Sequence, residues 1–205
     1  MDIDLIYDTE TTGFPLKTVS PGDQKQPAVI QLAFSLSTAP QPGDEGPTIL
    51  VEFCAILQTG NKPINPGALK IHGISQSMAA MGLHPLLVID LFADCLNRAD
   101  TLIAHNLAFD KSMMQILLST NGACANTQRR FQNMPAYFCT MLKSMDILRL
   151  PGRFNNYKWP KLIELYRYLF NEDFEGVHDA LCDVRATRRC YYELLKRYPH
   201  LCGKR

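Results

Sequence analysis

Ile6-Tyr7-Asp8-Thr9-Glu10-Thr11-Thr12-Gly13 is the stretch from which the fold of this chain can be read. Its apolar lead-in, Ile3 to Tyr7, reads as a buried strand. Asp8 and Glu10 follow at the end of that strand, two residues apart, so both side chains point to one face. Adjacent carboxylates repel unless a positive charge lies between them. A hard divalent cation, which takes oxygen ligands, meets that need. Thr11, Thr12 and Gly13 then turn the chain, and Gly13 lets backbone approach a ligand closely. Alone, Asp-x-Glu is also the composition of a solvated strand end, so the flanking sequence has to decide.

Downstream, residues 14–28 carry Pro15, Pro21, Gly22 and Pro27 and read as a loop, long enough to be functional or a passive insertion. Val29 to Ser37 and Ile49 to Ala55 read as strands joined by a Pro/Gly turn at 39–47, a hairpin beside the first strand. Residues 63–77 are irregular, with a short helical stretch near Ala68. Helical spacing of apolar residues predicts helices over 85–99, 108–119, 140–150, 161–169 and 179–198. Short strands are predicted at 101–104 and 136–139. Antiparallel strands first, then strands alternating with helices, give an α/β domain with a mixed sheet.

Composition bounds the rest. At 205 residues and 46% hydrophobic content, 1–205 is expected to form a single domain with a sizeable core. The net charge of +1 excludes a global field toward a polyanion, so any such site is a local patch. No apolar run approaches membrane-spanning length, and the acidic start Met1-Asp2-Ile3-Asp4 is unlike a secretory signal. Seven scattered cysteines without a C-x-x-C pair argue against zinc and against a disulfide framework. Buried free thiols in the cytoplasm or another reducing intracellular compartment are expected instead.

Three later residues bear on Asp8 and Glu10. Asp110, in His105-Asn106-Leu107-Ala108-Phe109-Asp110, lies in the first turn of a helix after a short strand, where acids are common. His178 and Asp183, in His178-Asp179-Ala180-Leu181-Cys182-Asp183, flank the start of the last helix and can face one site. Each has an ordinary alternative: packing or helix capping for His178, a salt bridge to Arg185 or Arg188 for Asp183. Asp179 competes for either role, although helix capping explains it. In this order and at these spacings, the chain resembles the DnaQ-like 3′–5′ exonucleases of the DEDDh type, in the ribonuclease H-like superfamily. The resemblance runs from Ile6 to about Tyr192 and includes His72-Gly73-Ile74.

That resemblance implies a ribonuclease H-like mixed five-stranded sheet flanked by helices. It implies that Asp8, Glu10, Asp110 and Asp183 hold two divalent cations, Mg2+ with Mn2+ able to substitute. His178 would be the general base, since an imidazole titrates near neutrality. The expected activity is 3′–5′ hydrolysis of single-stranded nucleic acid, DNA ahead of RNA, to nucleoside 5′-monophosphates. Thr11, Thr12, Gly13, Ile71, His72 and Asn106 would contact the substrate end. For His72 a turn residue, and for Asn106 a helix cap, remain the alternatives. A basic stretch from Arg129 to Lys161, interleaved with Phe154, Tyr157 and Trp159, reads either as a single-strand track or as an ordinary surface over buried aromatics. The expected partners are DNA or RNA 3′ ends, with a polymerase or repair protein as a further one and no membrane. The chain ends soon after the last helix without an evident docking extension, which favours a stand-alone nuclease. A catalytically silent binding module, a proofreading subunit and an endonuclease of the same superfamily are the alternatives.

Overall fold

The structure, a computed structural model, describes residues 2–41, 44, 46–153 and 156–201. Five strands form one sheet: β1 (Ile3–Thr11), β2 (Val29–Thr38), β3 (Thr48–Ile56), β4 (Thr101–Ala104) and β5 (Ala136–Cys139), in the order β3-β2-β1-β4-β5. β1 pairs antiparallel with β2 and parallel with β4; β2–β3 is antiparallel and β4–β5 parallel. The mixed sheet is therefore the expected one. β1 runs past Tyr7 to Thr11 because β2 pairs with it along its whole length, with a register shift after Glu10. Asp8 and Glu10 thus lie inside the strand, not beyond it.

Strand alternation sorts the core onto two faces. Leu5 and Tyr7 join Leu32, Phe34 and Leu36 under α3 (Pro85–Arg98), α4 (Leu107–Thr120) and α5 (Ala125–Gln132). Ile6, Ala33, Ile103 and Phe138 face the other way, toward α6 (Thr140–Leu148), α7 (Leu162–Phe170) and α8 (Ala180–Arg197). Each fully buried Leu, Ile or Phe contributes about 1.5–3 kcal/mol by leaving water. Asp8 and Glu10 share the parity of Ile6, so they emerge on the α8 face.

Two helices and one helix end differ from expectation. α5 is polar, burying only Thr127 and Phe131, so it carries no long apolar stripe. α1 (Pro66–His72) lies where the short helical stretch was expected, and α2 (Gln76–Ala80) follows it, started by Ser75. α6 stops at Leu148, ahead of Pro151, because Arg149 takes the left-handed cap conformation with φ 48°. No disulfide forms among the described cysteines; Cys95, Cys139 and Cys190 are buried, but Cys124 is exposed. Cys202 lies outside the described residues. No helix among them is long and apolar enough to cross a membrane.

Candidate active site

Three carboxylates point from one face of β1, and their surroundings differ. Asp4 is buried and accepts hydrogen bonds from the hydroxyls of Tyr191 and Tyr192. Asp8 and Glu10, at the other end, are moved by burial and neighbouring carboxylates, with no hydrogen bond pulling the other way. Asp110 comes from the opposite face of the sheet. Its Oδ1 accepts from the Thr9 N–H at 3.1 Å and the Thr9 hydroxyl at 2.8 Å, which pins the start of α4 to β1. Asn106 turns the chain into α4 with φ 66°, and its side chain makes no capping bond. The capping alternative for Asn106 therefore does not hold.

α8 supplies Asp183 from its first turn, with His178 just ahead of it. Asp179 caps the helix: its Oδ1 accepts from the N–H groups of Leu181 and Cys182. Arg185 and Arg188 both pair with Glu52 instead of Asp183. Asp183 accepts from the His178 N–H through Oδ2 at 3.3 Å, while its Oδ1 is buried with no hydrogen-bond partner. One donor atom each from Glu10, His178 and Asp183 lies within 4.8 Å of the others.

These residues line one cleft of about 660 Å³ at the carboxyl ends of β1 and β4, together with Asp8 and Asp110. That is where open α/β sheets hold ligands. Of the residues expected at the substrate end, Thr11, Gly13, Ile71, His72 and Asn106 also line it. Thr12 does not. It is buried, and its backbone and hydroxyl bond to Ala28 and Asn65, closing the 14–28 loop. Phe14, 82% exposed, stands at the cleft edge with its ring 6.0 Å from that of Phe109. No sequence pattern announced Phe14, since exposure is a property of the fold.

His105 was likewise unforeseen. It is buried between the Thr140 hydroxyl and the Pro160 carbonyl, and burial pushes its pKa down to about 4. A carbonyl only accepts, so Nε2 carries the proton and Nδ1 accepts from Thr140. This bond fastens the segment bearing Trp159 and Lys161, both of which line the cleft. The basic stretch, in contrast, does not form one track. Arg130 is tied to the carbonyls of Leu96 and Ala99, near the start of β4 and away from the cleft. Lys158 pairs with Glu164. Tyr157 and Trp159 are outward-facing, so the buried-aromatic alternative fails for them, and Phe154 lies outside the described residues.

The four carboxylates fit a cationic guest. Burial, then repulsion from Asp110, Asp183 and Glu10, holds Asp8 well above the usual carboxylate range. Burial and the neighbouring acids push Glu10 up to about 8. Burial lifts Asp110 and Asp183 to about 7 each, opposed at Asp110 by the Thr9 hydrogen bonds and at Asp183 by the His178 N–H. Carboxyls raised in this way stabilise the fold at low pH, where they are protonated. That contribution is lost as pH rises through their folded values near 7 and 8. The melting temperature in chelator is therefore expected to fall by about 5 °C between about pH 6.5 and about pH 8.5, and Mn2+ should restore it. A melting curve indifferent to both pH and Mn2+ across that window would rule out this reading of the cluster.

A protein-family model described as an exonuclease, RNase_T, matches residues 5–191. A search of curated proteins returned no significant match. Among solved structures, E. coli Exonuclease I in complex with a dA16 oligonucleotide superposes with a TM-score of 0.70 at 16% identity. The match covers 98% of this chain and 42% of that one, so this chain spans about two fifths of its length. A 3′-exonuclease recognising the histone mRNA stem-loop matches at 0.60 and 14% identity, covering 96% of this chain and 83% of that one. Cell-death related nuclease 4 matches at 0.65 and 17% identity, covering 96% and 64%. At these identities the likeness is one of fold.

Proposed function

Because this chain belongs to the RNase_T exonuclease family, we propose that it is a metal-dependent 3′–5′ exonuclease acting on single-stranded DNA, and more slowly on RNA, from one domain. The observation that carries the proposal is the convergence of Asp8, Glu10, Asp110, Asp183 and His178 on one cleft from β1, α4 and the start of α8. A silent binding module would have no use for four carboxylates whose mutual repulsion opposes an anionic ligand.

The four carboxylates would hold two divalent cations, Mg2+ or Mn2+, which when bound neutralise the charge that builds on the scissile phosphate. The protein's own groups do the rest. A ring nitrogen of His178, on the open side of the cleft beside Glu10 and Asp183, takes a proton from the attacking water. The water oxygen bonds to phosphorus, and the bond from phosphorus to the 3′ oxygen breaks. The departing 3′ oxygen takes up a proton from solvent, so the shortened strand leaves with a 3′ hydroxyl, and the released nucleotide keeps its 5′ phosphate. Asp110, held by Thr9, fixes the opposite wall.

A circular single strand has no end to enter such a site. Linear and circular DNA of one sequence, and a matching linear RNA, are to be digested side by side with Mn2+. The expected result is release of 5′-mononucleotides from both linear strands, faster from DNA, with the circle intact. Nicking of the circle would make the protein an endonuclease and overturn the proposal.

A further inference from the structure

His178 has φ 70°, a left-handed conformation that a residue with a Cβ disfavours. Histidine takes it more readily than most side chains do, yet it still costs energy, and contacts on both sides of the turn hold it. The two residues that follow are both gripped by one side chain from β2. The Gln31 Nε2 donates to Asp179 Oδ2 at 3.3 Å, and its Oε1 accepts from the Ala180 N–H at 3.3 Å. Asp179 Oδ1 is already engaged by the helix N–H groups, so both of its oxygens are used. On the other side, the His178 N–H is held by Asp183. Gln31 is buried, and in the β1–β2 register it lies directly opposite Glu10. One amide therefore links the strand position facing a carboxylate of the cleft to the turn that presents the imidazole.

The two ends of that amide are not interchangeable. A carboxylate only accepts and a backbone N–H only donates, so the partner must offer one donor and one acceptor. We propose that Gln31 is a positioning residue: through Asp179 and Ala180 it sets the backbone at His178, and with it the imidazole over Glu10 and Asp183. The inference rests on the exonuclease reading above. It assigns Gln31 no contact with substrate.

The chemistry of the pair dictates a reciprocal test. In Gln31→Glu, two carboxylates meet. In Asp179→Asn, whichever way the Gln31 amide is turned, one donor faces another. Combining the two substitutions reverses the polarity of the pair. The carboxylate introduced on β2 then accepts from both the Ala180 N–H and the amide introduced at the helix start, while that amide still caps α8 through its oxygen. Each single variant is expected to lower kcat about tenfold or more with KM within about threefold, and the double variant to regain most of that loss. Melting curves taken on every variant separate a displaced imidazole, for which kcat falls in protein that stays folded, from a destabilised fold. Gln31→Met, similar in size and unable to make either bond, replaces a charged variant that does not fold, and the same kcat loss is expected. Wild-type kcat in a folded single variant, or a double variant no better than the worse single one, would overturn the assignment. Wild-type protein assayed first separates the two ideas: no hydrolysis by it refutes the exonuclease reading. Amide exchange across residues 176–180 then tests Gln31 by itself, with faster exchange expected in each single variant and unchanged exchange counting against the role.

Discussion

Asp8→Asn is expected to lower kcat by about 10³-fold or more while the protein stays folded. A charge that holds a cation at the transition state is worth several kcal/mol, and each ~1.4 kcal/mol is a factor of ten. Asn keeps the shape of Asp and removes only the charge. Because burial, and then repulsion from Asp110, Asp183 and Glu10, disfavours the Asp8 carboxylate, removing that charge also relieves strain in the metal-free protein. The variant should therefore melt at the same temperature as the parent at about pH 8 in chelator, or higher. Loss of activity with gain of stability is the signature of a functional carboxylate. Unchanged hydrolysis in Asp8→Asn would remove it from the site, and inactivity explained by unfolding would make its role structural.

His178→Ala is expected to lower kcat by about 10²- to 10⁴-fold with little change in KM, the range for loss of a positioned base. The left-handed backbone at this position is less favourable for Ala than for His, so the substitution removes the imidazole and also weakens the turn. An unchanged rate at saturating substrate in His178→Ala would show that His178 is not the base. His178→Asn, which tolerates a left-handed backbone, separates loss of the proton acceptor from loss of the turn.

The strands and long helices were legible in the sequence because their apolar residues follow the period of the element. β4 and β5 matched to the residue, being short and largely apolar. α5 was not legible, because a helix that buries two residues leaves no stripe. The cluster itself was legible as an ordered set of acids and a histidine, but its geometry was not. Asp110 reaches β1 through Thr9, a contact spanning 101 residues. His105 and Phe14 gain their meaning from burial and exposure respectively, and neither can be read from spacing. Thr12 shows the converse: it shares a motif with Thr11, yet the strand's register turns it into the 14–28 loop. Gln31 was invisible for the same reason, since its link to Asp179 crosses 148 residues and depends on which face β2 presents.

Removal of nucleotides from a 3′ end by the carboxylates of this cleft is the proposed activity. The most direct measurement is a digestion time course on a 5′-labelled single-stranded oligonucleotide, with Mn2+ or with EDTA, for the parent and Asp8→Asn. The expected result is a ladder that shortens one nucleotide at a time from the 3′ end, present only in the parent with metal. Intact oligonucleotide under every condition, cleavage at internal positions, or an unchanged ladder from Asp8→Asn would contradict it.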